Sequence, residues 1–155
     1  MRKNVCKERI GYMNIAFLLR PKSEVAFLYN DFSLRQGLEK MKHHGYTAIP
    51  VIDRDGRYIT TISEGDILWY ILKDVSEGGR INEIPLQALE KVRISDVLHP
   101  DKNPPAKITS SAEELTNRAM EQNFIPVIDD SGSFIGMVTR RDIIKNLMVT
   151  SELEK

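Results

Sequence analysis

Cysteine is almost missing from this chain. Cys6 is the only one in 155 residues, so no internal disulfide can form and the core itself must hold the fold. We read it as a spare thiol near the N-terminus. Neither sign of charge is in excess, since Lys+Arg and Asp+Glu number 22 each. That balance supplies no broad field for nucleic acid or an anionic membrane, so any anion site must be built locally. Long apolar runs are lacking too. Ile15 to Leu19 is far too short to cross a bilayer, and Met1 to Arg9 is too polar for a secretory signal. A cytoplasmic protein without nucleic-acid or membrane partners is expected. Catalytic fingerprints are equally scarce: no P-loop, dinucleotide-binding glycine pattern or nucleophile elbow occurs. His43 and His44 point about 100° apart on a helix, and His99 stands alone, so no metal set is expected. The turn carboxylates Asp53, Asp55, Asp129 and Asp130 fit turn chemistry better than acid–base catalysis. The reading is therefore of a protein that is not an enzyme.

What remains is an ordinary soluble composition, 41% hydrophobic and 28% charged. The chain has room for one domain or two small halves sharing a core. At this length roughly two-thirds of the unfolded surface can be buried.

The strongest internal signal is a duplication. Ile49 to Ile67 reads IPVIDRDGRYITTISEGDI and Ile125 to Ile143 reads IPVIDDSGSFIGMVTRRDI, a constant offset of 76 residues with nine identities in 19 positions. Apolar matches could arise by chance, but Pro, Gly and the second Asp in register point to a repeated unit. Each copy predicts a buried strand (Ala48 to Ile52, Ile125 to Ile128), a glycine-bearing turn and a return strand (Tyr58 to Ile62, Phe134 to Val138). Helices should follow over Glu64 to Lys73 and Arg140 to Val149. Upstream, Leu34, Leu38 and Met41 keep helical spacing, as do Ala112, Leu115 and Ala119. Short leading strands are expected at Val25 to Leu28 and Ala106 to Ile108. The fold class is thus α/β (α+β), two β-α-β-β-α units. The boundaries drawn are 12–73 for the first unit with a lead-in helix, 74–92 for a linker with Gly78, Gly79 and Pro85 as breakers, and 93–150 for the second. Ile94 to Leu98 should form the second lead-in helix. Met41 to Ile49 is longer than Ala119 to Ile125, so Gly45-Tyr46-Thr47-Ala48 has no full counterpart and the two units cannot present the same site.

Ser63-x-x-Asp66 and Thr139-x-x-Asp142 each stand where a strand ends and a helix begins. A capping box explains both pairs. A helix N-terminus with free N–H groups also suits a phosphate, and both readings stand at this point. Arg140 and Arg141 separate the copies. Two guanidinium groups on a first helical turn make a local phosphate site. Cations there oppose the helix dipole at about 0.3–1 kcal/mol each, a placement an anion would compensate. The first unit has Glu64 and Gly65 instead. Trp69 and Tyr70 fit a core or dimer face better than a cofactor.

The paired pattern of IPV-x-D-x-x-G followed by [ST]-x-x-D resembles the CBS domain family over about residues 12–150. The resemblance implies that the units pack by their sheets into one Bateman module, bind adenosine ligands in two clefts and form a homodimer. Gly45-Tyr46-Thr47-Ala48-Ile49-Pro50-Val51 with Thr139-Arg140-Arg141 is similar to the stand-alone cyclic di-AMP-binding CBS proteins of Firmicutes, the CbpB and DarB type. These regulate partners such as a (p)ppGpp synthetase/hydrolase. One departure is Glu24, where those proteins carry a lysine; here Lys22 lies two positions earlier. The implied ligand site comprises Val25, Ala26, Tyr46, Thr47, Ala48, Ile49, Pro50, Thr139, Arg140, Arg141 and Asp142, with the hydroxyl on phosphate and the Asp on the ribose diol. Tyr46 could stack on the base or cap the core. A second, weaker cleft would draw on Ser63, Asp66, Lys107, Ile108 and Phe124, with Glu64 repelling phosphate. No cofactor is implied beyond the regulatory adenine nucleotide, cyclic di-AMP ahead of AMP, ADP or ATP. A ligand-free CBS dimer serving as a scaffold is the alternative.

Overall fold

The computed structural model describes residues 14–76 and 86–152. Cys6 and the breakers Gly78, Gly79 and Pro85 lie outside them. Contacts divide the chain into two compact units, one of Ala26–Lys102 and one that joins the residues up to Val25 with those from Asn103.

In the first unit, β2 (Leu28–Tyr29) leads through α2 (Leu34–His44) to β3 (Ala48–Ile52), and a hairpin returns along β4 (Tyr58–Ser63) to α3 (Glu64–Ser76). The sheet order is β2-β3-β4. β2 runs parallel to β3 with Leu28 opposite Val51, and β4 runs antiparallel with Ala48 opposite Ser63. The parallel pair needs a crossover, which α2 supplies. Pro50 costs the ladder nothing on the β2 side, because β2 pairs only with Val51 and Ile52. Leu28, Leu34, Met41, Ile49, Val51 and Ile62 pack into one buried cluster. Part of the expected linker is structured: α4 (Leu86–Lys91) follows, and Leu89 and Val92 pack on that cluster.

The ends of α2 show why its sequence forms a helix there. Ser33 and Gln36 close a reciprocal capping box. Lys42 lies in the last turn, where a cation complements the dipole. Gly45 then turns left-handed at φ 66°, and the amide of Tyr46 donates to the carbonyl of Met41 at 3.0 Å. Gly45→Ala should cost about 1 kcal/mol through that φ alone, since a Cβ would meet open space. A urea midpoint lowered at unchanged slope checks this; an unchanged midpoint contradicts it.

The second unit repeats the plan. β5 (Ala106–Lys107), α5 (Ala112–Glu121), β6 (Phe124–Ile128), β7 (Phe134–Thr139) and α6 (Arg140–Glu152) follow in the same order. Its sheet has one more strand, in the order β1-β7-β6-β5. β1 (Arg20–Pro21) comes from the segment before the first repeat and pairs antiparallel with β7, Arg20 opposite Met137 and Pro21 opposite Gly136. Helix α1 (Ile15–Leu18), capped by Asn14, sends Ile15 and Leu18 into the core of Ala106, Leu115, Ile125, Val138 and Ile143.

The compact units are therefore not the linear repeats. The segment read as lead-in to the first repeat packs with the second. Ile94 and Val97, expected to introduce the second repeat as a helix over Ile94 to Leu98, lie in the core of the first unit, and only Ile94–Asp96 is helical, as a 3-10 turn. The physical reason is burial: each segment covers the sheet that leaves an apolar face open, and chain order does not choose that sheet.

The hairpins use their aspartates as expected of turns. The Asp53 carboxylate accepts from the amide of Arg57 at 2.9 Å. That of Asp129 accepts from Ser131 and Ser133 at 2.8 and 3.0 Å. Gly56 and Gly132 take φ 85° and 83°.

Candidate functional site

Both [ST]-x-x-D pairs sit at a β–α junction made by the same backbone bond. The amide of Glu64 donates to Thr47 at 3.0 Å, and that of Arg140 donates to Asn123 at 2.9 Å. The first residue of each helix is thus pinned to the start of the neighbouring strand. The first pair closes as a capping box, while both bonds of the second run through the Thr139 hydroxyl. Asp66 accepts from the Ser63 amide and hydroxyl at 2.7 and 2.8 Å. The Asp142 amide donates to Thr139 Oγ1 at 3.1 Å, and the Thr139 hydroxyl donates back to Asp142 Oδ2 at 2.6 Å.

Each carboxylate also holds a cation that the repeat comparison missed. In the first unit, Lys102 Nζ lies 2.5 Å from Asp66 Oδ2 and 2.8 Å from Ser63 Oγ. Its segment is fastened by Thr60, whose hydroxyl donates to the carbonyls of His99 and Lys102 at 2.9 and 3.2 Å. Tyr58 lies beside it, its phenol pushed up to about 12 by burial, so it stays a neutral donor. In the second unit, Arg20 grips Asp142 through both nitrogens, Nε to Oδ2 at 2.8 Å and Nη2 to Oδ1 at 3.1 Å. A signal for these arms exists in the sequence: Leu18-Leu19-Arg20-Pro21 and Val97-Leu98-His99-Pro100 share an apolar-Leu-basic-Pro pattern. Its offset differs from that of the main repeat, so an ungapped comparison passes over it.

The charges set the acid response. The Arg20 guanidinium holds the Asp142 carboxyl below its usual 3.8, outweighing burial, with Thr139 helping. Burial pushes Asp66 upward, and Lys102 and Ser63 together outweigh it, so this carboxyl also falls below 3.8. A depressed native carboxylate stabilises the fold above the unfolded value, and that stability is lost as pH falls through the native value. Arg20→Met should therefore reduce the loss of stability between about pH 5 and pH 3. Urea midpoints across that range check it, and an identical decline in both proteins contradicts it.

The structure alters the assignment of several expected ligand residues. Arg140 is not free: its Nε donates to the carbonyl of Ala119, in the last turn of α5, at 2.6 Å. A helix C-terminus compensates this guanidinium, so the argument that both arginines await an anion holds for Arg141 alone. Arg141 is exposed on the first turn of α6 and has no hydrogen-bond or ion-pair partner among the described residues. The Ile49 side chain is fully buried in the core, which leaves its backbone for any ligand. Tyr46 is half-buried against the same core, with its ring 5.5 Å from His44; the core-capping role is present. Thr47 is exposed, Ala48 half-buried and Pro50 buried along β3. Val25 and Ala26 are buried just after a 3-10 turn at Lys22–Glu24. In the second unit, Phe124 is buried opposite Thr139, Lys107 is exposed on β5, and Ile108 packs on the core. Among the described residues no three His, Cys, Asp or Glu side chains gather as metal ligands. None of the described helices is long and apolar enough to cross a membrane.

Comparison with known proteins gives four likenesses. The CBS domain model matches residues 18–73 and 94–149. The crystal structure of a CBS domain protein from Streptococcus pneumoniae superposes with a TM-score of 0.81 at 20% identity, covering 100% of both chains. That of the Listeria monocytogenes CbpB protein in complex with c-di-AMP does so with a TM-score of 0.75 at 26% identity, over 90% of this chain and 98% of that one. In sequence, the A-adding tRNA nucleotidyltransferase of Aquifex aeolicus is 30% identical over 99% of this chain, which spans only 18% of that enzyme.

Proposed function

This chain belongs to the CBS domain family, with copies at 18–73 and 94–149, and from that premise we propose that it is a non-catalytic regulator that binds an adenine nucleotide, cyclic di-AMP first among them. The observation that carries the reading is Arg141. It is an exposed cation without a partner among the described residues, on the first turn of a 13-residue helix, beside Thr139 and Asp142. The corresponding residue of the other repeat is Gly65, after Glu64. In this reading the phosphate meets the guanidinium and the backbone amide of Arg141, and the Thr139 hydroxyl turns from Asp142 to donate to it. Asp142 accepts from the ribose diol, and an oxygen with two lone pairs can do so while keeping Arg20. For the base, the resemblance implies Val25, Ala26 and the residues from Tyr46 to Pro50.

The ligand acts by favouring one of two states, which requires a different affinity for each. The states proposed are those of a homodimer, and the output is a protein partner, for which the resemblance suggests a (p)ppGpp synthetase/hydrolase. The exposed Ile144 and Met148 on α6, and Leu68 on α3, suit the dimer face. A ligand-free scaffold is the competing reading, favoured by the cations already seated on Asp66 and Asp142. Calorimetric titration of nucleotide-stripped protein with cyclic di-AMP, AMP, ADP and ATP separates the two. Saturable heat from at least one supports the regulator; silence from all four leaves the scaffold.

A further inference from the structure

Asp142 enters the proposed site already occupied. A carboxylate offers about four lone pairs over its two oxygens. Arg20 takes two of them as a fork, Nε on Oδ2 at 2.8 Å and Nη2 on Oδ1 at 3.1 Å. The Thr139 hydroxyl takes another, on Oδ2 at 2.6 Å. The guanidinium is planar and fills the edge between the two oxygens, where paired donors chelate a carboxylate. A vicinal ribose diol is also a pair of donors and needs that same edge. Once Thr139 turns to a phosphate, each oxygen has a lone pair open, but the two lie on opposite flanks of the fork. One ribose therefore reaches Asp142 through one hydroxyl while Arg20 stays.

Several features keep Arg20 in place. Its backbone is paired in β1 opposite Met137, within the compact unit that also holds Asp142. Two parallel bonds fix the geometry of an ion pair better than one. The other repeat has no such fork: Lys102 meets Asp66 through a single ammonium, a point contact. Arg20 and Asp142 also line a cavity of about 400 Å³, with Lys145 and Asn146 on its wall. Lys145 is exposed there, one helical turn beyond Asp142. A ribose with one free hydroxyl and a phosphate on its neighbouring oxygen thus finds an acceptor, room and a cation. A 3′,5′-phosphodiester leaves a ribose of that kind, its 2′ hydroxyl free and its 3′ oxygen esterified. A mononucleotide brings a second hydroxyl for which this carboxylate has no place.

We propose that Arg20 is a specificity-determining residue: by holding the chelating edge of Asp142, it selects an adenine nucleotide esterified at the 3′ oxygen over one with a free diol. This choice of ribose rests on the adenine-nucleotide reading above. The test is calorimetric titration of the full nucleotide-stripped chain with AMP, 2′-deoxy-AMP and 3′-deoxy-AMP, and with two 3′-esterified ligands, cyclic di-AMP and linear pApA. In the parent, loss of the 2′ hydroxyl weakens AMP about tenfold or more, and loss of the 3′ hydroxyl changes it less than about twofold. In Arg20→Met the edge is open and both hydroxyls count. There 3′-deoxy-AMP falls about tenfold below AMP, and the advantage of cyclic di-AMP over AMP shrinks about tenfold. Arg20→Lys keeps the charge without the fork and moves the same way, so the test does not hang on one variant. Linear pApA also binds more tightly than AMP; an advantage confined to the cyclic ligand overturns the ester as the selected feature. Equal losses from the two deoxy analogues in the parent, dependence on the 3′ hydroxyl alone, or a pattern that both Arg20 variants leave unchanged overturns the role of Arg20 and leaves the proposed function standing. No binding by any of these ligands overturns both.

Discussion

Gly136→Ala is expected to strip β1 from its sheet and destabilise the second unit by about 3 kcal/mol, the upper part of the range for overpacking. An ideal Cβ at Gly136 would stand 2.1 Å from the carbonyl oxygen of Arg20 and 3.0 Å from its carbon. These are backbone atoms of a paired strand, so no rotamer change relieves the clash. β1 is only two residues long, and losing it releases Ile15 and Leu18 from the core and Arg20 from Asp142. The other repeat shows the alternative solution. Its equivalent residue is Thr60, which holds the backbone of His99 and Lys102 through a hydroxyl, so the segment need not come as close. A melting temperature lower by roughly 6–12 °C is expected for a chain of this size. Gly65→Ala is the control, because its Cβ would meet only Ser63 Oγ at 3.7 Å and alanine favours the helix. A Gly136→Ala protein that melts within about 2 °C of the parent contradicts the close approach.

The second large effect concerns the arginine pair, whose members should separate. Arg141→Ala removes charge-assisted hydrogen bonds worth about 1.5–3 kcal/mol, a loss of roughly 10- to 150-fold in affinity for a phosphate-bearing nucleotide. Adenosine, which has no phosphate, should bind as before. Arg140→Ala should act on stability instead, because its Nε satisfies the carbonyl of Ala119. Calorimetry and thermal melts on the two variants make the comparison. Equal loss of adenosine and nucleotide in Arg141→Ala would remove this residue from the phosphate.

The repeat was legible because Pro, Gly and Asp recur in register, and each has a local structural reason to be where it is. Pro50 sits beyond the reach of β2, Gly56 and Gly132 need a positive φ, and Asp66 and Asp142 bond the hydroxyls of Ser63 and Thr139 that cap the helices. The helical spacing of Leu34, Leu38 and Met41, and of Ala112, Leu115 and Ala119, falls inside α2 and α5. What escaped was non-local. Nothing in the order of residues says that Ile15 and Leu18 belong with Val138. Nor does it say that Lys102 ends on Asp66. Such pairings depend on which sheet lacks cover. The difference within the Arg140–Arg141 pair is hidden for a related reason: two adjacent cations look alike in sequence, and only the carbonyl of Ala119 tells them apart. The contrast between the copies is also softer than charge type suggests, since Lys102 brings a cation to the junction where Glu64 had implied repulsion. That cation is held by Asp66 and Ser63, whereas Arg141 has no such partner among the described residues.

Which β–α junction receives the nucleotide is decided directly by one pair of variants. Asp142→Asn and Asp66→Asn each remove a single charge from equivalent positions, so the general cost of the change is shared. Calorimetric titration of both with the tightest-binding adenine nucleotide is the measurement. Asp142→Asn should weaken binding at the principal site about tenfold or more, and Asp66→Asn should leave that site within about twofold of the parent. The reverse order, or equal losses in both, would contradict a principal site built on Thr139, Arg141 and Asp142.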